Sequence, residues 1–265
     1  MTKKLLPVIR ILISFFIPLS IFFHYECGSV PGKEQIPKQI SSIPGDSIYT
    51  IYLTFDDGPL EGSEDINDAV KKENVKVNVF VVGMHALANT RMSRFYSLYE
   101  ANPYIEIGNH SFTHAFDHYK NYYEKPDSVF LDFEKNQTRL QIRNRLARLP
   151  GRNMWRLKGI TMNDVNTGKE AADLLYRNGY KVFGWDIEWQ HSGETGIPVQ
   201  SVNEMIEIIE KKLSEGKTIR KNHLVLLSHD EMFRNGWEES ELKQLITKLK
   251  AKGNYRFEHL SNYPD

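Results

Sequence analysis

The chain has 265 residues, 40% hydrophobic and 26% charged, which are ordinary globular proportions for one large domain or two small ones. Lys plus Arg and Asp plus Glu balance at 34 each, so no net field argues for a nucleic-acid or anionic partner. The single cysteine, Cys27, excludes an internal disulfide and a cysteine-rich zinc site.

At the N-terminus, Lys3, Lys4 and Arg10 precede a short uncharged apolar run from Ile11 to Phe23, the layout of a secretory signal. The run falls short of the roughly 20 residues that a spanning helix needs, and Pro18 weakens it further. Residues 1–27 are therefore read as a signal peptide or signal-anchor, cleaved near Cys27-Gly28-Ser29 or retained. Pro-, Gly-, Ser- and Lys-rich residues 28–48 read as a linker, and residues 49–265 as the folded domain. The expected location is outside the cytoplasm: periplasmic, extracellular, or anchored at the outer side of the inner membrane.

Within the domain, strands and helices alternate. Tyr49 to Leu53 reads as a buried strand, Glu64 to Glu73 as helix, Val75 to Val82 as strand, Arg91 to Ala101 as helix and Tyr104 to Gly108 as strand. Asp127 to Asn144 reads as one long helix, followed by a short extended piece from Leu146 to Leu149. Thr167…Glu170 and Ser201…Glu204 both have the spacing of a capping box that opens a helix. Between them Lys181 to Ile187 reads as one strand. His223 to Ser228 is the next strand, Glu238 to Lys250 a helix, and Arg256 to Glu258 a last extended piece. Repeated units of this kind predict a parallel sheet with covering helices, as a barrel or a doubly wound sheet, with chemistry at the C-terminal strand ends.

Polar residues collect at those ends. Asp56 and Asp57 close the first strand, Asn109-His110-Ser111-Phe112-Thr113-His114 the third, Arg148 and Pro150 follow the short extended piece, and Asp186 with Glu188 and then Ser228-His229-Asp230 close two more. Two adjacent acids are costly to bury without a cation. His110 and His114 are four apart, so on a helical turn their imidazoles share a face. With one carboxylate they make a two-histidine, one-acid metal site that leaves positions open for water and substrate. One acid of the pair then serves as ligand and the other as proton acceptor.

Thr54-Phe55-Asp56-Asp57-Gly58-Pro59, His110-Ser111-Phe112-Thr113-His114, Arg148-Leu149-Pro150 and Leu227-Ser228-His229 resemble, in order, the successive motifs of polysaccharide deacetylases, carbohydrate esterase family 4. The resemblance spans about Tyr49 to His229. It implies a distorted (β/α) barrel with a single catalytic domain that hydrolyses N-acetyl, less often O-acetyl, groups of a glycan. By the same resemblance Asp56 is the general base, Asp57, His110 and His114 hold the divalent metal, Arg148 orients the base, and His229 is the general acid. A backbone N–H after Pro150, at Gly151, meets the oxyanion. Zinc suits the ligands, with cobalt, nickel or manganese as alternatives. The expected partner is an acetylated glycan, with no nucleic acid, and the chain is expected to be a monomer.

Two features depart from the family pattern. Gly151-Arg152-Asn153 stands where an aromatic usually follows the Pro of the arginine motif, removing a side-chain wall of the groove. In Trp185-Asp186-Ile187-Glu188-Trp189 either Asp186 or Glu188 qualifies as the partner of His229. Asp186 is preferred, and Trp189 is expected to wall the acetyl pocket with Leu227. Two other classes compete with the deacetylase: a non-catalytic carbohydrate-binding relative, and a two-histidine, one-carboxylate iron oxygenase.

Overall fold

The computed structural model describes residues 47–164, 167–234 and 240–264; the expected signal and linker segments lie outside them. Strand β1 (Tyr49–Asp56) leads into α1 (Ser63–Glu73), then β2 (Val77–Val81), α2 (Gly83–Ala86), α3 (Thr90–Ala101) and β3 (Ile105–Asn109). Helices α4 (Tyr119–Tyr123) and α5 (Pro126–Arg139) precede β4 (Leu146–Ala147), β5 (Trp155–Leu157) and β6 (Ile160–Met162). The second half runs α6 (Lys169–Arg177), β7 (Lys181–Val182), β8 (Ile187–Glu188), α7 (Val202–Ser214), β9 (His223–His229), α8 (Glu241–Ala251) and β10 (Tyr255–Phe257). The strands form one curled sheet in the order β6-β5-β7-β4-β3-β2-β1-β9-β8, with β10 also on β1. Its pairs are parallel except at the small β5–β6 hairpin and the β5–β7 contact. This is the distorted (β/α) barrel expected, and all the described residues fall within one of the chain's two compact units.

Alternation along the strands builds two cores. Ile51, Leu53 and Phe55 of β1, Val77, Val79 and Val81 of β2, and Leu224 and Leu226 of β9 face outward into one apolar layer with α1, α3, α7 and α8. The intervening Tyr52, Phe80 and Val225 face inward, where Trp155, Phe183 and Tyr263 fill the barrel. A third cluster packs α5 and α6 over Ala147, Leu149 and Val182. Since β1 and β9 pair Thr54 with Leu227 and Asp56 with His229, both reactive ends share the inward face.

Several elements differ from the sequence reading. The long helix stops at Arg139, because Leu140 leaves the helix and Gln141 takes a positive φ of 50°. Helix α6 starts at Lys169 behind Gly168, whose φ of 97° sets the turn, and Thr167 caps nothing there; its hydroxyl instead accepts from Arg152. The Ser201–Glu204 capping box is present as expected. Lys181 to Ile187 is not one strand: β7 pairs with β4, while β8 pairs with β9 at the opposite end of the strand order. Between them Gly184 is pressed against the Asn153 and Trp155 side chains, where a Cβ would come within 2.0 Å of Asn153 Oδ1.

Gly108 on β3 lies opposite Phe80 on β2, and a Cβ there would sit 2.6 Å from the Phe80 ring. Gly108→Ala is expected to lower stability by about 1–3 kcal/mol through overpacking, measured by urea denaturation. An unchanged midpoint would show that the ring yields freely.

Candidate active site

The site is built at the mouth of the barrel. Asp56 is the last residue of β1, buried, with Oδ1 2.9 Å from Arg148 Nη1. Arg148 is wholly buried, and it also donates to Thr54 Oγ1 (2.7 Å), Phe183 O (3.2 Å) and Gly184 O (2.9 Å). Its guanidinium lies 4.4 Å from the centre of the Phe80 ring. Burial pulls the Arg148 pKa down, and the Asp56 carboxylate opposes that shift.

One residue on, the chain bends. Asp57 has φ 72°, a left-handed conformation that non-glycine residues rarely adopt, and its carboxylate turns toward two imidazoles. Asp57 Oδ1 is 3.0 Å from His114 Nε2 and 3.3 Å from His110 Nε2. His110 and His114 do not share a helical turn, contrary to the reading from their spacing. His110 follows the end of β3, Ser111 has φ 65°, and His114, Ala115, Phe116 and Asp117 all have positive φ. A left-handed turn swings the second imidazole back beside the first, their ring centres 5.3 Å apart.

The other ring nitrogens are committed. His110 Nδ1 donates to Arg148 O (2.8 Å) and His114 Nδ1 to Asp117 Oδ1 (3.2 Å), which leaves both Nε2 lone pairs aimed at Asp57. Burial would raise the Asp57 carboxyl, yet the close His110 and His114 imidazoles outweigh it and hold the group well below the usual carboxylate range. Burial would lower His114, but Asp57 and Asp117 hold it above its ordinary value. Asp57 Oδ1 is buried and no well-directed hydrogen bond reaches it, while the three ligand atoms lie within 4.8 Å of one another. These residues fit a divalent cation: one carboxylate oxygen and two neutral nitrogens, each nitrogen oriented from behind.

His229 closes the opposite side, with its buried Nδ1 lacking a partner among the described residues. Its ring packs 4.7 Å from that of His191, which is held by Glu231 Oε1 (2.9 Å). A cavity of about 230 Å³ joins Asp56, Asp57, His110, His114 and His229, with Leu227, Glu188 and Gly151 in its wall. Pro150 is buried behind it, its carbonyl accepting from Tyr123 (2.6 Å). The Gly151 N–H has no acceptor among the described residues.

Three expectations are corrected. Asp186 does not reach His229: its oxygens accept from Ile219 N and Val225 N, both at 2.8 Å. Val225 is four residues before His229 on β9, about 13 Å away at the rise of a strand. Glu188, paired with Leu227 two residues before His229, lines the cavity where Asp186 does not. Trp189 does not wall the pocket; strand alternation turns it into the helix-side core, against Phe233. Trp185 lines the cavity instead. The wall lost at Gly151 is filled by Tyr119: a Cβ at Gly151 would lie 3.2 Å from the Tyr119 ring. Neither Tyr119 nor Trp185 carried a signal in the sequence beyond being aromatic.

An inward acid, a buried arginine, an acid with two histidines and a second-strand histidine meet at the mouth of a curled (β/α) barrel. The polysaccharide deacetylase family profile matches residues 46–153. A chitin disaccharide deacetylase of Vibrio alginolyticus is 24% identical, over 82% of this chain and 72% of its own. Among solved structures, a carbohydrate esterase family 4 enzyme of Streptococcus mutans superposes with TM-score 0.59 at 19% identity, over 79% of this chain and 85% of that one. The catalytic domain of a peptidoglycan N-acetylglucosamine deacetylase of Eubacterium rectale gives 0.58 at 20%, over 83% and 92%. Over residues 46–153 the chain resembles the polysaccharide deacetylases, and it shares the fold of solved carbohydrate esterase family 4 enzymes.

The Asp186 correction has a pH signature. Burial pushes its carboxyl up to about 6, against the pull of the Val225 and Ile219 amides and Lys212. A raised carboxyl keeps its proton in the folded chain after the unfolded chain has shed it, so this contribution to stability is lost as pH rises from about 4 to about 6. The stability difference between wild type and Asp186→Asn is therefore expected to shrink across that window, read by urea denaturation. A difference independent of pH would contradict this.

Proposed function

We propose that the chain is a metal-dependent deacetylase acting on N-acetylated sugars of a cell-envelope or extracellular glycan. The observation that carries the reading is the direct pairing of Asp56 with His229 across β1 and β9, with Asp57, His110 and His114 in the same cavity. In this reading a base and an acid flank the same cavity. Relatives that act on chitin disaccharide and on peptidoglycan N-acetylglucosamine support an acetamido sugar as substrate.

In this reading Asp57, His110 and His114 hold a divalent metal, zinc by ligand type with cobalt, nickel or manganese as alternatives, which would supply Lewis-acid polarisation and a lowered water pKa. Asp56 takes the proton of the attacking water, and Arg148 holds its carboxylate in place. The water oxygen adds to the acetyl carbonyl carbon, and the Gly151 N–H faces the oxygen that gains charge. His229 then donates a proton to the nitrogen as the C–N bond breaks, releasing acetate and a free amine. Glu188, on the same cavity wall, would support His229, and Leu227, Trp185 and Tyr119 would shape the acetyl and sugar contacts. Residues 1–48 would export the domain, which would meet its glycan outside the cytoplasm as a monomer.

Acetate release from chitin oligomers, peptidoglycan and acetylated xylan tests the reading. Release is expected from an N-acetylated glycan, to be abolished by chelator and restored by added metal, and Asp56→Asn should lower the rate about 10²–10⁴-fold. Release that survives chelation would contradict it. No release on any glycan by metal-loaded protein would favour a non-catalytic carbohydrate-binding relative.

A further inference from the structure

The two loops that bring the metal ligands together come from different strand ends, yet one short segment binds both. Where β2 passes into α2, Val82 N donates to Gly58 O (2.9 Å), Gly83 N to Ser111 O (3.3 Å) and Met84 N to Phe112 O (2.9 Å). Next in line, His85 Nδ1 lies 2.6 Å from Asp57 O. A carbonyl only accepts, so Nδ1 carries the hydrogen and donates. Four successive residues therefore grip the loop of Asp57 and the loop between His110 and His114. The fit is close: a Cβ on Gly83 would lie 2.4 Å from the Phe112 ring and 2.5 Å from Asn136 Oδ1.

We infer that the segment 82–85 is the template that aligns the metal centre, and that His85 is the positioning residue for Asp57. His110 is oriented through Arg148 O and His114 through Asp117, and His85 completes the set by acting on the third ligand. It does so through the backbone. Asp57 occupies a left-handed conformation that costs an aspartate free energy, and the peptide plane set by its carbonyl decides where the carboxylate points. The His85 bond fixes that plane. Its ring also lies 6.3 Å from the His114 ring, so the template touches both loops with one side chain. His85 lies outside the motifs at 54–59, 110–114, 148–150 and 227–229.

This inference rests on the proposed metal-dependent reading, so the test is metal binding itself, by cobalt titration of the metal-free full chain with absorbance detection. Loss of an outer partner of a ligand weakens metal affinity roughly 10–100-fold, and His85→Ala is expected to show that loss while keeping a cooperative thermal transition. His85→Asn places an amide N–H close to where Nδ1 stood and is expected to bind cobalt within about threefold of wild type, on the same scale. A His85→Ala chain that binds as tightly as wild type overturns the role of His85 alone. A wild-type chain that takes up no cobalt overturns the metal reading and this inference with it.

Discussion

The site depends on one buried cation. Arg148 is fully enclosed, and all three of its guanidinium nitrogens donate: to Asp56 and Thr54 on β1, and to the carbonyls of Phe183 and Gly184 where β7 gives way to β8. It therefore closes the barrel at the seam where the strand ladder is interrupted and fixes Asp56, the proposed base, in the same act. Burying an ion pair is costly unless its remaining hydrogen bonds are satisfied, and removing one partner typically costs about 3–5 kcal/mol. Here four of the five guanidinium N–H groups have acceptors, and Thr54 passes the link on to Leu226 of β9, the strand that carries His229. Fold and chemistry meet in that side chain.

Around this rigid centre the ligand-bearing loops are strained. Asp57, Ser111 and the run from His114 to Asp117 all have positive φ without a glycine among them. Such conformations cost about 1 kcal/mol or more each and persist where the surroundings impose them. The surroundings are visible. Asn109 Oδ1 accepts from Ser111 N and from Asn136, Ser111 Oγ accepts from His114 N, and Asp230 collects Leu60 N, Ser63 and Tyr99 behind the first loop. Buried Asp230 has its pKa pushed up to about 6, which marks how much the packing asks of that acid.

Much of this was legible in the chain. Alternation along Tyr49 to Asp56 places Asp56 inward, and the strand ending in Leu227-Ser228-His229 has the matching parity, so two partners were readable before any contact was known. The motifs at 54–59, 110–114 and 148–150 pointed to the barrel and to Asp57, His110 and His114, which the fold brings together. What failed had a common cause: residue types do not report where backbone departs from regular structure. Spacing alone suggests a helical turn for His110 and His114, whereas their convergence needs left-handed residues that no glycine announces. Asp186 and Glu188 share a parity, but depth along the barrel separates them, and depth depends on a register with β9 set far away in sequence. His85 is silent for the same reason, because its partner is a carbonyl 28 residues distant.

The central claim is that Asp57, His110 and His114, and not Asp56, hold a metal at the barrel mouth. Anomalous diffraction from crystals of the protein grown with zinc tests it most directly. The account predicts one strong peak about 2.0–2.2 Å from Asp57 Oδ1, His110 Nε2 and His114 Nε2, with Asp56 still paired to Arg148. A peak coordinated by Asp56, or no peak among these residues, would contradict it.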